Sequence, residues 1–131
     1  MEYQIIENNE FDMIEVATVG PFDMQDHKSM VAAIQKTNYF KSGKPLLIDH
    51  SNSPARGLSN DQIRILGNRA NAFSYAEGDR KCAIVVSQGT IEFGLGRMWQ
   101  GYADHSMSAN LQIFLSREAA VAWLVEPDPT P

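Results

Sequence analysis

Three consecutive residues, Asp49-His50-Ser51, hold the carboxylate, imidazole and hydroxyl from which nucleophilic hydrolases assemble a triad. They follow the apolar run Leu46-Leu47-Ile48, and neighbouring strand residues point to opposite faces, so these three cannot align as orienter, base and nucleophile. Ser53 or Ser59 can still meet His50 through space, although a loop serine or a helix cap is the commoner role for either. His27, His50 and His105 show no metal-ligand spacing, and neither a metal nor another cofactor is expected. His27, on an otherwise apolar helix face, reads as half-buried with one hydrogen bond.

Glycine-rich chemistry is suggested by Gly89-Thr90-Ile91-Glu92-Phe93-Gly94 and by Gly94-Leu95-Gly96-Arg97-Met98-Trp99. A P-loop needs Lys and Ser or Thr where Leu95 and Gly96 stand. A dinucleotide fingerprint needs a third small residue where Trp99 stands. These glycines are therefore read as letting a helix pack closely. Arg97 reads first as a surface ion-pair partner, and second as a residue that holds an anion together with the first-turn amides of its helix. Ser59 begins Ser59-Asn60-Asp61-Gln62, a capping box in which serine and glutamine side chains satisfy each other's backbone amides. A phosphate on Ser59 would add about −1.5 to −2 charge where the helix dipole favours it.

The positioning elements follow from the pattern. Residues 3–7 and 13–19 are rich in Ile and Val around Asn8-Asn9-Glu10, which predicts an N-terminal β-hairpin closed by Gly20-Pro21. Asp23 opens a helix carrying Met24, His27, Val31 and Ile34 on one face, running to about Asn38. Leu46 to Asp49 reads as a strand buried on both faces, and Ser51 to Leu58, with Asn52, Pro54 and Gly57, as loop. A helix from Ser59 uses Ile63, Leu66, Ala70 and Phe73. A strand follows at Cys82 to Val86, then a helix from Ile91 to about Ala103 with Ile91, Leu95, Met98, Trp99 and Tyr102 as its stripe. Leu111 to Phe114 is the last strand. Ser116 caps a final helix in which Ala120, Trp123 and Leu124 pack inward.

The expected class is α/β: a mixed, mainly parallel sheet of about five strands, an N-terminal hairpin and four helices. The chain of 131 residues is expected to be one domain over 1–125, with a Pro-rich tail at 126–131. A net charge of −5, with 11 scattered Lys and Arg, argues against nucleic acid as a partner. The start has no basic, apolar leader and no window reaches the roughly 20 apolar residues of a membrane span, so a soluble, cytoplasmic protein is expected. Cys82, the single cysteine, sits in an apolar strand and reads as structural.

The element order, and the stretches PLLID (Pro45 to Asp49), AIVVSQGTIEFGLGRMWQ (Ala83 to Gln100) and LQIFLSREAAVAWL (Leu111 to Leu124), resemble the STAS superfamily in its SpoIIAA-like branch of small bacterial proteins. The resemblance covers most of residues 3–124 and implies a non-enzymatic regulatory or protein-interaction module of the anti-sigma-factor-antagonist type. Those antagonists carry a phosphorylatable serine in an Asp-Ser-Ser-Gly motif at the helix start after the buried strand. The corresponding position falls near Ser59, within Leu58-Ser59-Asn60-Asp61. The implied partner is another protein or a second copy as a homodimer. The working edge would hold His50, Ser51, Ser53, Arg56, Ser87, Arg97, Trp99 and Tyr102. The alternative, by likeness to lipid-transfer relatives of the fold, is a carrier or sensor of a small apolar or anionic ligand at that edge. In that reading Phe93, Met98, Trp99 and Tyr102 line a cavity. A hydrolase ranks third.

Overall fold

A computed structural model describes residues 1–54, 59, 61–62, 80–87 and 111–126. Strands β1 (Glu2–Asn8) and β2 (Met13–Val19) pair antiparallel in an unbroken register from Glu2↔Val19 to Asn8↔Met13. Asn8 builds the turn, its Oδ1 accepting from the Phe11 amide at 3.1 Å. Strands β3 (Leu46–Asn52), β4 (Cys82–Val85) and β5 (Leu111–Phe114) then add in parallel, giving one sheet of order β1-β2-β3-β4-β5. The α/β class and the five-stranded mixed sheet match the expectation, as do the hairpin and the apolar parallel strands.

The helices differ from it. The described residues carry three, α1 (Met24–Gln35), α2 (Asn38–Lys41) and α3 (Arg117–Val125), where the sequence reading has four in all. Of the expected Ser59 helix only Asp61 and Gln62 are described, as helical, and the Ile91 to Ala103 helix lies outside the described residues. The first helix does not run to Asn38. The Thr37 hydroxyl donates to the Ile34 carbonyl at 2.8 Å and accepts from the Phe40 amide at 3.1 Å, ending one helix while capping the next. The short α2 turns out through Gly43, whose φ of +77° is the left-handed conformation glycine adopts most readily. Both other N-caps were legible: Asp23 accepts from the Asp26 amide at 2.9 Å and Ser116 from the Ala119 amide at 3.2 Å.

Strand alternation divides the core in two. Ile14, Val16, Leu46, Ile48, Cys82, Ile84, Leu111 and Ile113 face α1 through Met30, Val31 and Ile34. On the other face, Met13, Leu47, Ala83 and Val85 meet Ala120, Val121 and Leu124 of α3, with Trp123 partly buried beside them. Arg117 anchors α3 to the sheet through paired bonds to Glu15 at 2.7 and 2.9 Å. Glu126, assigned above to the tail, closes α3: its amide reaches the Trp123 carbonyl, and its own carbonyl accepts from Lys81 Nζ at 3.0 Å. Residues 127–131 lie outside the described residues. No helix among the described residues is long and apolar enough to cross a membrane.

The third strand is longer than its apolar run. Ser51 and Asn52, read above as loop, belong to β3, because the neighbouring chain stays beside them. Asn52 pairs with Val19, its carbonyl accepts from the Gly20 amide at 3.1 Å, and the Phe22 amide donates to Pro54 at 2.9 Å. Between Ala17↔Asp49 and Val19↔Asn52 the β3 side holds one residue more than β2, a bulge opposite Thr18.

Candidate functional site

The rows facing α1 end in polar residues at the carboxyl end of the parallel strands. Ile14 and Val16 are followed two residues on by Thr18, and Leu46 and Ile48 by His50. Thr18, His50 and Ser53 are all buried, so each polar atom must find a partner inside the protein. Thr18 Oγ1 is the hub: it lies 2.7 Å from His50 Nδ1, 2.7 Å from Ser53 Oγ and 3.2 Å from the Asp49 carbonyl. The bulge and the Ser53 amide bond back to the His50 carbonyl at 2.9 Å turn β3 so that residues 50 and 53 reach the same hydroxyl.

A hydroxyl has one proton and two lone pairs. All three contacts are satisfied together when Thr18 donates to the Asp49 carbonyl and accepts from Ser53 Oγ–H and His50 Nδ1–H. That assignment leaves His50 Nε2 as a bare acceptor, and Nε2 is buried with no hydrogen-bond partner among the described residues. Burial pushes the His50 imidazole down to about 4 against the opposing pull of the Asp49 carboxylate, so the ring is neutral near pH 7. Phe22 stands edge-on to it at 5.4 Å and stacks, tilted, on His27 at 5.4 Å. His27, expected half-buried, is buried, because Phe22 covers it on the α1 face that meets the sheet.

This cluster brings together two of the sequence candidates, His50 and Ser53, through a third residue that motif reading missed. Thr18 had a signal: a hydroxyl ending the row Ile14, Val16 in a strand beside another ending in His50. Asp49, His50 and Ser51 do not form a triad. Asp49 Oδ1 instead accepts from the Ser51 amide at 2.9 Å. Ser53 reaches His50 through Thr18, whereas an activated nucleophile bonds its base directly.

Ser51 and Ser87 are half-buried at the ends of β3 and β4. Arg56, Arg97, Trp99 and Tyr102 lie outside the described residues, as do Phe93, Met98, His105 and the glycines at 94 and 96. Ser59 is described and exposed. Its amide donates to Gln62 Oε1 at 2.8 Å and its Oγ accepts from the Gln62 amide at 3.2 Å, forming the reciprocal capping box read from the sequence. Cys82 is buried, and burial pushes its thiol up to about 12, which suits a structural rather than a reactive role. No three His, Cys, Asp or Glu side chains among the described residues gather as a set that could hold a metal ion.

Compared with protein-family models, with curated proteins and with solved structures, the chain matches none.

Proposed function

We propose that this chain is a STAS-like regulatory module, working in the bacterial cytoplasm without turnover by binding another protein, in the manner of an anti-sigma-factor antagonist. The observation that carries the reading is Ser59: exposed, at a helix start beyond β3, with its hydroxyl accepting from the Gln62 amide at 3.2 Å. Phosphoryl transfer to that oxygen leaves the Ser59 amide bond to Gln62 in place and adds negative charge where helix amides stabilise it. The fold is retained while the charge of a docking surface changes. Support also comes from the mixed sheet with its antiparallel marginal strand, the arrangement that the resemblance implies.

The test compares proteins captured by wild type, Ser59→Ala and Ser59→Asp, each checked for folding by circular dichroism. The reading expects a partner that wild type and Ser59→Ala retain and Ser59→Asp loses. Equal capture by all three sinks it.

A second reading, a carrier or sensor of a small ligand, is favoured by one observation, the buried Nε2 of His50, which has no hydrogen-bond partner among the described residues. A neutral imidazole acceptor takes a hydrogen-bond donor. Native mass spectrometry of freshly purified protein would then show an adduct that His50→Asn loses. Bare protein in both samples argues against this second reading.

A further inference from the structure

We propose that β1 is a self-association edge through which two copies of the chain join, antiparallel, into one continuous sheet with five strands from each. Among the described residues β1 stands at the margin of the sheet, hydrogen-bonded to β2 on one side. Every residue from Glu2 to Glu7 except Ile5 is exposed. Apolar side chains are concentrated there: Tyr3 is 37% exposed, Ile6 44%, and Val19, paired with Glu2, 57%. Natural edges are commonly guarded by charged side chains, lysine above all, by proline, by a bulge or by shortness, and the charges of β1 are the two carboxylates Glu2 and Glu7. β1 has seven residues, none of them lysine or proline, and an unbroken register.

The occupant follows from symmetry and charge. Two identical edges meet antiparallel about a two-fold axis perpendicular to the sheet, which keeps each face continuous. Directly opposed residues must then share a face, so Tyr3, Ile5 and Glu7 oppose one another, and Glu2, Gln4, Ile6 and Asn8 do likewise. Only the register centred on Ile5 pairs all of β1. It sets Ile5 against Ile5, Gln4 against Ile6, Tyr3 against Glu7 and Glu2 against Asn8. Glu2 and Glu7 lie on opposite faces, so no carboxylate opposes another. Ile5, already packed against the α1-side core, would meet its own copy and join the two cores. The strand thus sets apolar Ile5 against itself and no carboxylate directly against another, and the partner is a second copy. The argument uses no residue of the Ser59 region and stands apart from the function proposed above.

The register supplies its own test, because any substitution at Tyr3 acts twice in the dimer. Sedimentation velocity of the untagged full chain over a range of concentrations is expected to show a monomer–dimer equilibrium. Tyr3→Glu sets a carboxylate against Glu7 and weakens it, while Tyr3→Lys sets an ammonium there. The two variants should differ roughly tenfold or more in dissociation constant, with Tyr3→Lys the tighter. The double variant Tyr3→Glu with Glu7→Lys restores opposite charges and should recover the affinity lost in Tyr3→Glu. A monomer at every concentration, a dimer indifferent to these charges, or a monomeric edge that binds an extended peptide of another sequence overturns the proposal.

Discussion

Replacing His50 with Asn should remove a pH dependence of stability whose size follows from its burial. The Asn amide can keep a donor near the Nδ1 position, facing Thr18, but has no imidazole to titrate. In the folded protein burial holds the His50 pKa at about 4, against 6.5 for the free side chain. The proton therefore binds the unfolded chain more readily, and stability falls as pH drops from 6.5 towards 4, then levels off. The shift of roughly 2.5 units corresponds to about 3 kcal/mol in total, of which about 2 kcal/mol is lost between pH 7 and pH 5. Urea unfolding of both proteins at pH 7, 6 and 5, followed by circular dichroism, isolates this term, because the remaining titrating groups are common to both. The wild type should lose about 2 kcal/mol more than His50→Asn over that interval. Parallel stability curves would refute the argument, since they would mean that His50 titrates alike folded and unfolded.

Thr18→Val keeps the shape of the side chain but strips the acceptor from Ser53 and His50, and should cost about 2–4 kcal/mol in urea unfolding; a loss below about 0.5 kcal/mol would show that those groups find other partners. The Cys82 thiol should resist a thiol-specific chromogenic reagent in native buffer and react fully in denaturant; rapid native labelling would contradict its burial. Arg117 holds the Glu15 carboxyl below its ordinary range, so this pair contributes at neutral pH and its contribution fades as pH falls below about 4.5. Arg117→Met should therefore cost about 1 kcal/mol or less at pH 7, given the exposure of the arginine, and less still in acid or high salt; a penalty unchanged by salt and pH would place its role in packing instead.

Much of the architecture is legible in the residues, for identifiable reasons. Leu46 to Ile48 and Cys82 to Val85 announce buried strands because parallel strands covered on both faces need apolar residues at successive positions, whereas Leu111 to Phe114, interrupted by Gln112, alternates between buried and half-buried. Asp23, Ser59 and Ser116 announce helix starts because the capping interactions are local. What escaped the sequence is non-local or polar. β3 continues through Ser51 and Asn52 because β2 and the Gly20 to Phe22 segment supply backbone partners, which no hydropathy pattern records. Thr37 divides α1 from α2 with a hydroxyl that bonds in both directions, a choice that helical periodicity does not reveal. Of the site, His50 and Ser53 stood out as chemical types, but their connection runs through Thr18 on another strand, fixed by a one-residue bulge.

Ser59 is where the functional account can be tested most directly. Protein isolated from the cells that naturally make it, digested and mapped by mass spectrometry, should yield the Ser59 peptide in two forms separated by the mass of one phosphoryl group. Their ratio should move with growth condition, and the modified form should be missing from a Ser59→Ala strain. A Ser59 peptide that stays unmodified under every condition in which the protein is made would contradict the switch at the centre of the account.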